Sequence, residues 1–444
     1  MDRQTNRRDF LKRSAAAGAG ILAAGSGALR GQAARGQRPA KKPAASDKLN
    51  VAIAGAGGRG RGNTGSVRSE NIVALCDVDD RRLAAAAKEF PQAKTYHDWR
   101  KMLEQKDIDA VVCSTTDHTH ALISAAAMKL GKHVYCEKPL AHSVHEARVV
   151  RQTYNQMKPR GVRTQQGTQI HASSNYRRVV ELVQSGAIGP VREAHVWCGR
   201  RGRCPKRPEQ GEPVPDYLHW DLWLGPAPFR PYHRSYLPGC MTWEQHWDWG
   251  NGCLGDMGSH LIDLPFWALG LRHPLTAEAE GEPRSEESYP HWLIIRWEHP
   301  ARGEQPAVKL CWYDGGKKPK APPDDDLRRF GNGILFVGDK GWLLADYGRR
   351  ILLPKDKFKD FQPPAPSIPP SKGHHREWLH ACKTGAETLC NFDYAGLLIE
   401  NNLLGTVAYR VNKKIEWDAE NLQAKNCPEA AKFIRREYRK GWTL

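Results

Sequence analysis

Leu49-Asn50-Val51-Ala52-Ile53-Ala54-Gly55-Ala56-Gly57-Gly58-Arg59-Gly60 decides the fold of this 444-residue chain. An apolar, β-branched run leads directly into Gly55-x-Gly57-x-x-Gly60, and a helical pattern follows. Glycines in that context let the backbone approach a pyrophosphate at a helix amino terminus. Working outward, Asn71–Cys76, Asp109–Ser114 and His133–Cys136 read as further strands, with helices at Asp80–Phe90, His97–Glu104 and His118–Leu130. Repeated βα units of this length specify a parallel sheet with right-handed crossovers. Asp77, 22 residues after Gly55, ends the second strand, where its carboxylate can accept hydrogen bonds from ribose hydroxyls and repel a 2′-phosphate. NAD is therefore expected over NADP, with Arg81 and Arg82 close enough to weaken the preference.

Beyond Gln165 the pattern changes. A helix at Ser174–Ser185 precedes strands at Val191–Cys198, Trp292–Glu298, Val308–Tyr313 and Ile334–Val337, and helical spacing returns at Glu377–Thr384 and Ala395–Val411. The fold class is α/β, a parallel-sheet domain over 48–165 followed by an α+β domain over 166–444. The second domain carries an insertion, 200–251, rich in proline, glycine and aromatics; a long irregular loop of this kind is usually functional.

The amino terminus reads as an address. Asn6-Arg7-Arg8-Asp9-Phe10-Leu11-Lys12 precedes a small-residue apolar run, the pattern of a twin-arginine export signal, too short and glycine-rich for a membrane anchor. Residues 1–33 are read as the signal, with small-x-small cleavage sites at Ser26-Gly27-Ala28 and Gly31-Gln32-Ala33, and 34–47 as a linker. The expected location is the periplasm and the expected first partner the twin-arginine translocation machinery. That route exports folded protein, so a cofactor acquired in the cytoplasm can travel inside.

The net charge of +18 does not indicate nucleic acid, because residues 1–45 alone carry ten Lys/Arg against two Asp/Glu. The remaining excess is scattered apart from Gly199–Arg207, which reads as a solvated basic loop. Eleven cysteines without a Cys-x-x-Cys pair indicate neither a disulfide framework nor structural zinc. His118/His120 and His374/His375 lack a third ligand at recognisable spacing, and no metal is expected.

Two further motifs carry chemistry. Glu137-Lys138-Pro139 puts a lysine at the carboxyl edge of the sheet, where open α/β folds bind ligands. In Gly255-Asp256-Met257-Gly258-Ser259-His260, Asp256 and His260 are one helical turn apart, so the carboxylate can orient an imidazole suited to accept a hydroxyl proton. Together with Asp117-His118-Thr119-His120, these motifs resemble those of the Gfo/Idh/MocA oxidoreductases, the family of glucose-fructose oxidoreductase and inositol dehydrogenase, from about Lys48 to the carboxyl terminus. The resemblance implies a Rossmann domain followed by a mostly antiparallel open sheet, NAD as cofactor, a carbohydrate substrate between the domains, and association of like chains. It assigns catalysis to Lys138, Asp256 and His260. For the cofactor it points to Gly55, Gly57, Gly58, Arg59, Gly60, Asp77, Ser114, His120, Glu137, Lys138 and Gln166. Thr116 departs from the pattern, which has proline there.

Five tryptophans (220, 223, 243, 247, 249) and Tyr217, Tyr232 and Tyr236 fall in the insertion before Asp256. They can face sugar rings or form a small core. Trp247 and His246, shortly before the Asp256 motif, are expected to touch substrate along with His260. The expected function is oxidation or reduction of a sugar, polyol or glycoside hydroxyl; the alternative is a glycosidase that oxidises, eliminates and re-reduces.

Overall fold

The structure is a computed structural model and describes residues 47–320, 327 and 329–444; the stretch read as an export signal and nearly all of that read as a linker lie outside the described residues. The first sheet has six strands, β1 (Asn50–Ala54), β2 (Asn71–Cys76), β3 (Lys94–Tyr96), β4 (Ala110–Cys113), β5 (His133–Cys136) and β6 (Thr164–Gln166), in the order β3-β2-β1-β4-β5-β6, every pair parallel. Its central strands are unbroken apolar runs because helices cover both faces; every residue of β4 is buried. The order reverses between β1 and β4, which opens a crevice beyond the strands' carboxyl ends.

The helices of nine residues or more are α1 (Arg59–Val67), α2 (Asp80–Glu89), α3 (Asp117–Lys129), α4 (Val144–Met157), α5 (Ser174–Gln184), α6 (His374–Thr384) and α7 (Phe392–Val411). The helix expected at His97–Glu104 is shorter, Trp99–Leu103, because Asp98 caps it by accepting a hydrogen bond from Arg100 N. α4 begins with a full capping box between Ser143 and Glu146. α7 packs along α4, and the two are pinned by a fork of Arg148 on buried Glu400 at 2.7 and 3.0 Å. That interface holds the start of α4, and with it the loop from Lys138, against the second domain.

The second sheet has nine strands: β7 (Val191–Trp197), β8 (Thr276–Gly281), β9 (Leu293–His299), β10 (Val308–Tyr313), β11 (Gly333–Gly338), β12 (Gly341–Ala345), β13 (Arg350–Leu353), β14 (Ile415–Asp418) and β15 (Gln423–Ala424). The order is β13-β12-β11-β7-β10-β9-β8-β14-β15, antiparallel except for β7 beside β10. β8 escapes a reading by propensity because it alternates Glu with Ala. Tertiary pairing makes it a strand, including a cross-strand Arg296–Glu280 contact of 2.8 Å.

The insertion 200–251 is more ordered than an irregular loop. It forms short helical turns at Trp220–Leu224, Arg234–Tyr236 and Cys240–Trp243 around a core of Trp220, Trp223, Trp249, Tyr232 and Tyr236. Trp220 and Trp223 stack at 4.7 Å and both meet Trp249 edge-on. All eleven cysteines are free thiols.

Candidate active site

The glycine-rich turn is built by sterics. Gly55 has φ +82°, and a Cβ there would stand 2.5 Å from Ser114 O; a Cβ on Gly60 would fall 1.7 Å from Gly55 O. Gly58 precedes α1 with no side-chain cap, and no acidic residue lies in the first turn, so no side chain competes with an anion at this helix start. Beside Gly58 nothing would meet an added Cβ within 4 Å. These are the properties a dinucleotide pyrophosphate requires, and a cavity of about 440 Å³ lies alongside, lined by Gly57, Gly58, Asp79, Arg81 and Arg82.

Asp77 braces this turn. Its carboxylate accepts hydrogen bonds from Ala56 N (2.9 Å), Gly57 N (3.0 Å) and Asp79 N (3.0 Å), and burial raises its pKa above the ordinary carboxylate value against those bonds. Arg81 is occupied by Asp79 at 2.8 Å and lies 3.4 Å over the Tyr217 ring, so the insertion reaches back to this end of the cleft. Arg59 and Asn63 both donate to Glu137 Oε1 at 2.9 Å, as does Gln169. Burial opposes the Glu137 charge, yet Arg59 and Lys138 hold the carboxylate below its ordinary pKa. Ser114 Oγ accepts from Asn63 at 2.9 Å.

Two expected cofactor residues lie deeper than the sequence suggests. His120 is buried, with Nδ1 2.7 Å from Pro139 O and Nε2 3.1 Å from Thr115 O, so its ring ties the Lys138 loop to the β4 loop. At the start of α3, under both loops, it braces the two of them against each other. Gln166 is fully buried under Cys390 and donates to Thr168 Oγ1 at 2.6 Å, while its Oε1 meets no partner among the described residues. Thr116, where proline was the pattern, has φ −80° and ψ 149°. Proline adopts the same backbone, so the substitution leaves the loop path unchanged.

The chemical centre joins both domains. Lys138 Nζ binds Asp256 Oδ1, and Arg200 Nη1 binds Asp256 Oδ2. Arg200 Nη2 reaches Glu244 Oε1 at 2.9 Å, and Gln245 Nε2 reaches the same oxygen at 3.1 Å. Burial disfavours charge on Lys138, but Asp256 overrides it and holds the ammonium well above its ordinary pKa. Burial likewise opposes the Asp256 charge, and Lys138 and Arg200 pull its carboxyl far below the usual range. Glu244 is pushed up to about 7 by burial and by the Asp256 charge. His260 is pulled down to about 4 by burial and the Lys138 charge, so its ring is neutral at physiological pH.

Asp256 does not hold His260 as its spacing predicts. Leu254–Gly258 forms a π-helical turn, which widens the helix and breaks the stacking of residues four apart. The carboxylate is taken by two cations instead, and His260 Nδ1 meets no partner among the described residues. The ring faces Tyr347 edge-on with centroids 6.5 Å apart, and the Tyr347 hydroxyl is also buried without a partner.

Trp247 and His246 are not brought to this centre. Trp247 is buried, donates its indole N–H to Ser285 O at 3.0 Å and packs against Tyr289 and Tyr409. His246 packs edge-on between Tyr236 and Trp249, and its charged neighbours are Arg207, Asp248 and Glu287. Apolar area, more than nearness in the chain, sets where these side chains go. The basic loop is not simply solvated either, since Arg200 enters the centre and Arg207 pairs with Asp248 at 2.9 Å. Arg200, Glu244 and Tyr347 carry no motif; only the tertiary fold brings them to Asp256 and His260.

Residues 49–164 match the Gfo/Idh/MocA family model described as an oxidoreductase family with NAD-binding Rossmann fold, and 191–303 match that family's C-terminal alpha/beta domain. The chain is 26% identical over 276 residues to levoglucosan dehydrogenase of Pseudarthrobacter phenanthrenivorans, covering 59% of this chain and 56% of that one. It is 28% identical over 167 residues to inositol 2-dehydrogenase of Salmonella typhimurium, covering 35% and 48%. The chain thus spans about half the length of these relatives. Among solved structures, GenD2 from gentamicin A biosynthesis, in complex with NAD, superposes with a TM-score of 0.56 at 18% identity over 88% of this chain and 100% of that one. Levoglucosan dehydrogenase with NADH and levoglucosan superposes with a TM-score of 0.55 at 16% identity, over 83% and 99%. These likenesses show the fold.

Proposed function

Because the chain belongs to the Gfo/Idh/MocA oxidoreductase family, we propose that it is an exported, NAD-dependent oxidoreductase acting on a hydroxyl of a sugar, polyol or glycoside. The observation that carries this reading is the Lys138 ammonium on the Asp256 carboxylate at the carboxyl edge of β5, with neutral His260 alongside. Gly55–Gly60 and the start of α1 would hold the pyrophosphate, and Asp77 the ribose end. NAD, when bound, supplies the hydride acceptor. Lys138, fixed as a cation by Asp256, donates a hydrogen bond to the substrate oxygen and stabilises negative charge developing there. His260, neutral, accepts the hydroxyl proton. Arg200 keeps Asp256 ionised, and the free Tyr347 hydroxyl is available to a second substrate hydroxyl.

Relatives named for levoglucosan and for inositol support the substrate class. A glycosidase cycle of oxidation, elimination and re-reduction is favoured by one feature, Glu244, whose carboxyl at about 7 can carry a proton to a departing aglycone. Export rests on Arg7-Arg8 before the apolar run. Arg7→Lys with Arg8→Lys keeps the charge and removes the planar guanidinium, and should leave the protein in the cytoplasm; normal export of the double variant refutes it. The test of function is mass analysis of cofactor released from purified protein, then a screen of sugars, polyols and glycosides for reduction of bound NAD and for keto or hydrolysed products. Reduction of bound NAD with a keto product supports the oxidoreductase, while free aglycone without added cofactor supports the glycosidase. If no compound reacts, both fail.

A further inference from the structure

Four residues after Lys138 and five before Asp256 the chain lines a second cavity, of about 380 Å³, reached by His142 on one side and Asn251 on the other. Its walls come from the insertion, the end of α7 and the carboxyl-terminal segment. We propose that this cavity binds a small organic anion through a carboxylate or phosphate group, at a site separate from the Lys138 centre.

Its charged groups are not matched. Arg410, in the last turn of α7, lies 4.1 Å over the Phe433 ring and 5.1 Å over Trp247, and no carboxylate is within ion-pair distance of it among the described residues. Burial lowers its pKa to about 10, so it remains a cation at neutral pH. Arg410 is half-buried, and Glu286 and Asp248 act on it only from beyond ion-pair distance; a cation that gives up hydration without a paired carboxylate is left short of counter-charge. Arg436 binds Glu146 Oε1 through Nε at 2.7 Å and His118 O through Nη2, which leaves Nη1 buried with no partner. Arg207 commits Nη2 to Asp248, and its Nε is likewise buried and unpartnered. His142 is 8% exposed, and neither ring nitrogen has a partner. These orphaned polar atoms, without partners among the described residues, belong to residues that line the cavity.

The acidic lining residues are mostly spent. Asp248 is shared by Arg207 at 2.9 Å and Arg230 at 2.8 Å, and Glu286 pairs with Arg284 at 2.8 Å, so Glu437 remains as the lining carboxylate without an ion pair among the described residues. Lys432 also lines the cavity, its Nζ 4.9 Å from the Phe433 ring centroid. The 14-residue α4 begins on the same wall, and its positive dipole end adds to the field. The volume suits a small molecule. Arg410 and Arg436 together offer guanidinium N–H groups of the kind that match a carboxylate or phosphate.

The test uses full-length protein saturated with NAD, so that the glycine turn is already filled, titrated calorimetrically with inorganic phosphate and separately with glucuronate. Saturable binding of at least one is expected, weakened about tenfold or more in Arg410→Gln and severalfold in Lys432→Gln, with loss of affinity as salt rises. Binding of phosphate alone assigns the site to phosphoryl ligands, and binding of glucuronate alone to carboxylates. Lys432→Gln decides the matter if Arg410→Gln does not fold. Absence of saturable binding to both probes, or binding undiminished in the folded variants, overturns the proposal. Hydride transfer is not read in this assay, so its result stands apart from the catalytic reading.

Discussion

Asp256→Asn is the most revealing single change at the centre, because it keeps the side chain's shape and removes the charge shared by Lys138 and Arg200. Removing one member of a buried ion pair costs about 3–5 kcal/mol. Here the Lys138 and Arg200 side chains retain 20% and 18% of their exposure, and Arg200 keeps Glu244 at 2.9 Å. The expected loss of stability is therefore at the lower end or just below, about 2–3 kcal/mol. Without Asp256, burial pulls the Lys138 pKa down against the weaker opposition of carboxylates such as Glu137. A lysine needed as a cation then loses its proton at lower pH, so activity should fall in the alkaline range where wild type is flat. At neutral pH the slackened ammonium should slow hydride transfer by about 10²-fold. Stopped-flow reduction of bound NAD across pH, beside denaturant unfolding, reads both effects. A variant with the wild-type rate and an unmoved alkaline profile would show that Asp256 does not hold Lys138 for chemistry.

Lys138→Ala and His260→Ala should each lower turnover by about a hundredfold or more while NAD still binds, checked by single-turnover rates with cofactor saturating; full activity in either removes that residue from the proton path. Asp77→Ala should weaken NAD and relax discrimination against NADP, and should also loosen the glycine turn, since three backbone N–H groups lose their acceptor. Equilibrium titration of both cofactors checks this, and unchanged NAD affinity counts against it. Acid should destabilise the fold: burial holds His118 and His374 at about 3 and His133 at about 4, below the ordinary 6.5, so the unfolded chain binds more protons. This stability is complete above pH 6.5 and falls as pH drops towards 3, by about 2 kcal/mol for each of these histidines at pH 5. Equal denaturant midpoints at pH 7.5 and pH 5 would contradict it.

The parallel sheet was readable because β1, β2, β4 and β5 are apolar runs set between helical periods, and the glycine turn has a steric signature that survives in one dimension. The lysine at the β5 edge was readable for the same reason, since strand order fixes which end of a strand faces the crevice. The partner of Asp256 was not. A four-residue spacing predicts stacking only on a regular helix, and the π-helical turn at Leu254–Gly258 together with two cations from distant segments redirected the carboxylate. Arg200 looked like part of a solvated loop because composition does not show which arginine of a basic run turns inward. Trp247 shows the converse. Its apolar area was used in packing against Tyr289 and Tyr409, as were most tryptophans of the insertion among their neighbours. Tyr347 lies in the turn between β12 and β13, where the local pattern carries no sign that the ring packs beside His260.

The central claim is that Lys138, held by Asp256, and neutral His260 manage the proton of an alcohol whose hydride passes to NAD. Its most direct test is single-turnover reduction of bound NAD by a substrate found in the screen, with protium or deuterium at the carbinol carbon, in wild type and Lys138→Ala. Reduced nicotinamide is expected in one equivalent, its formation slowed by deuterium in wild type, with a rate at least about a hundredfold lower in Lys138→Ala with NAD still bound. Equal rates in the two proteins, or no reduction of bound NAD by any carbohydrate hydroxyl, would contradict it.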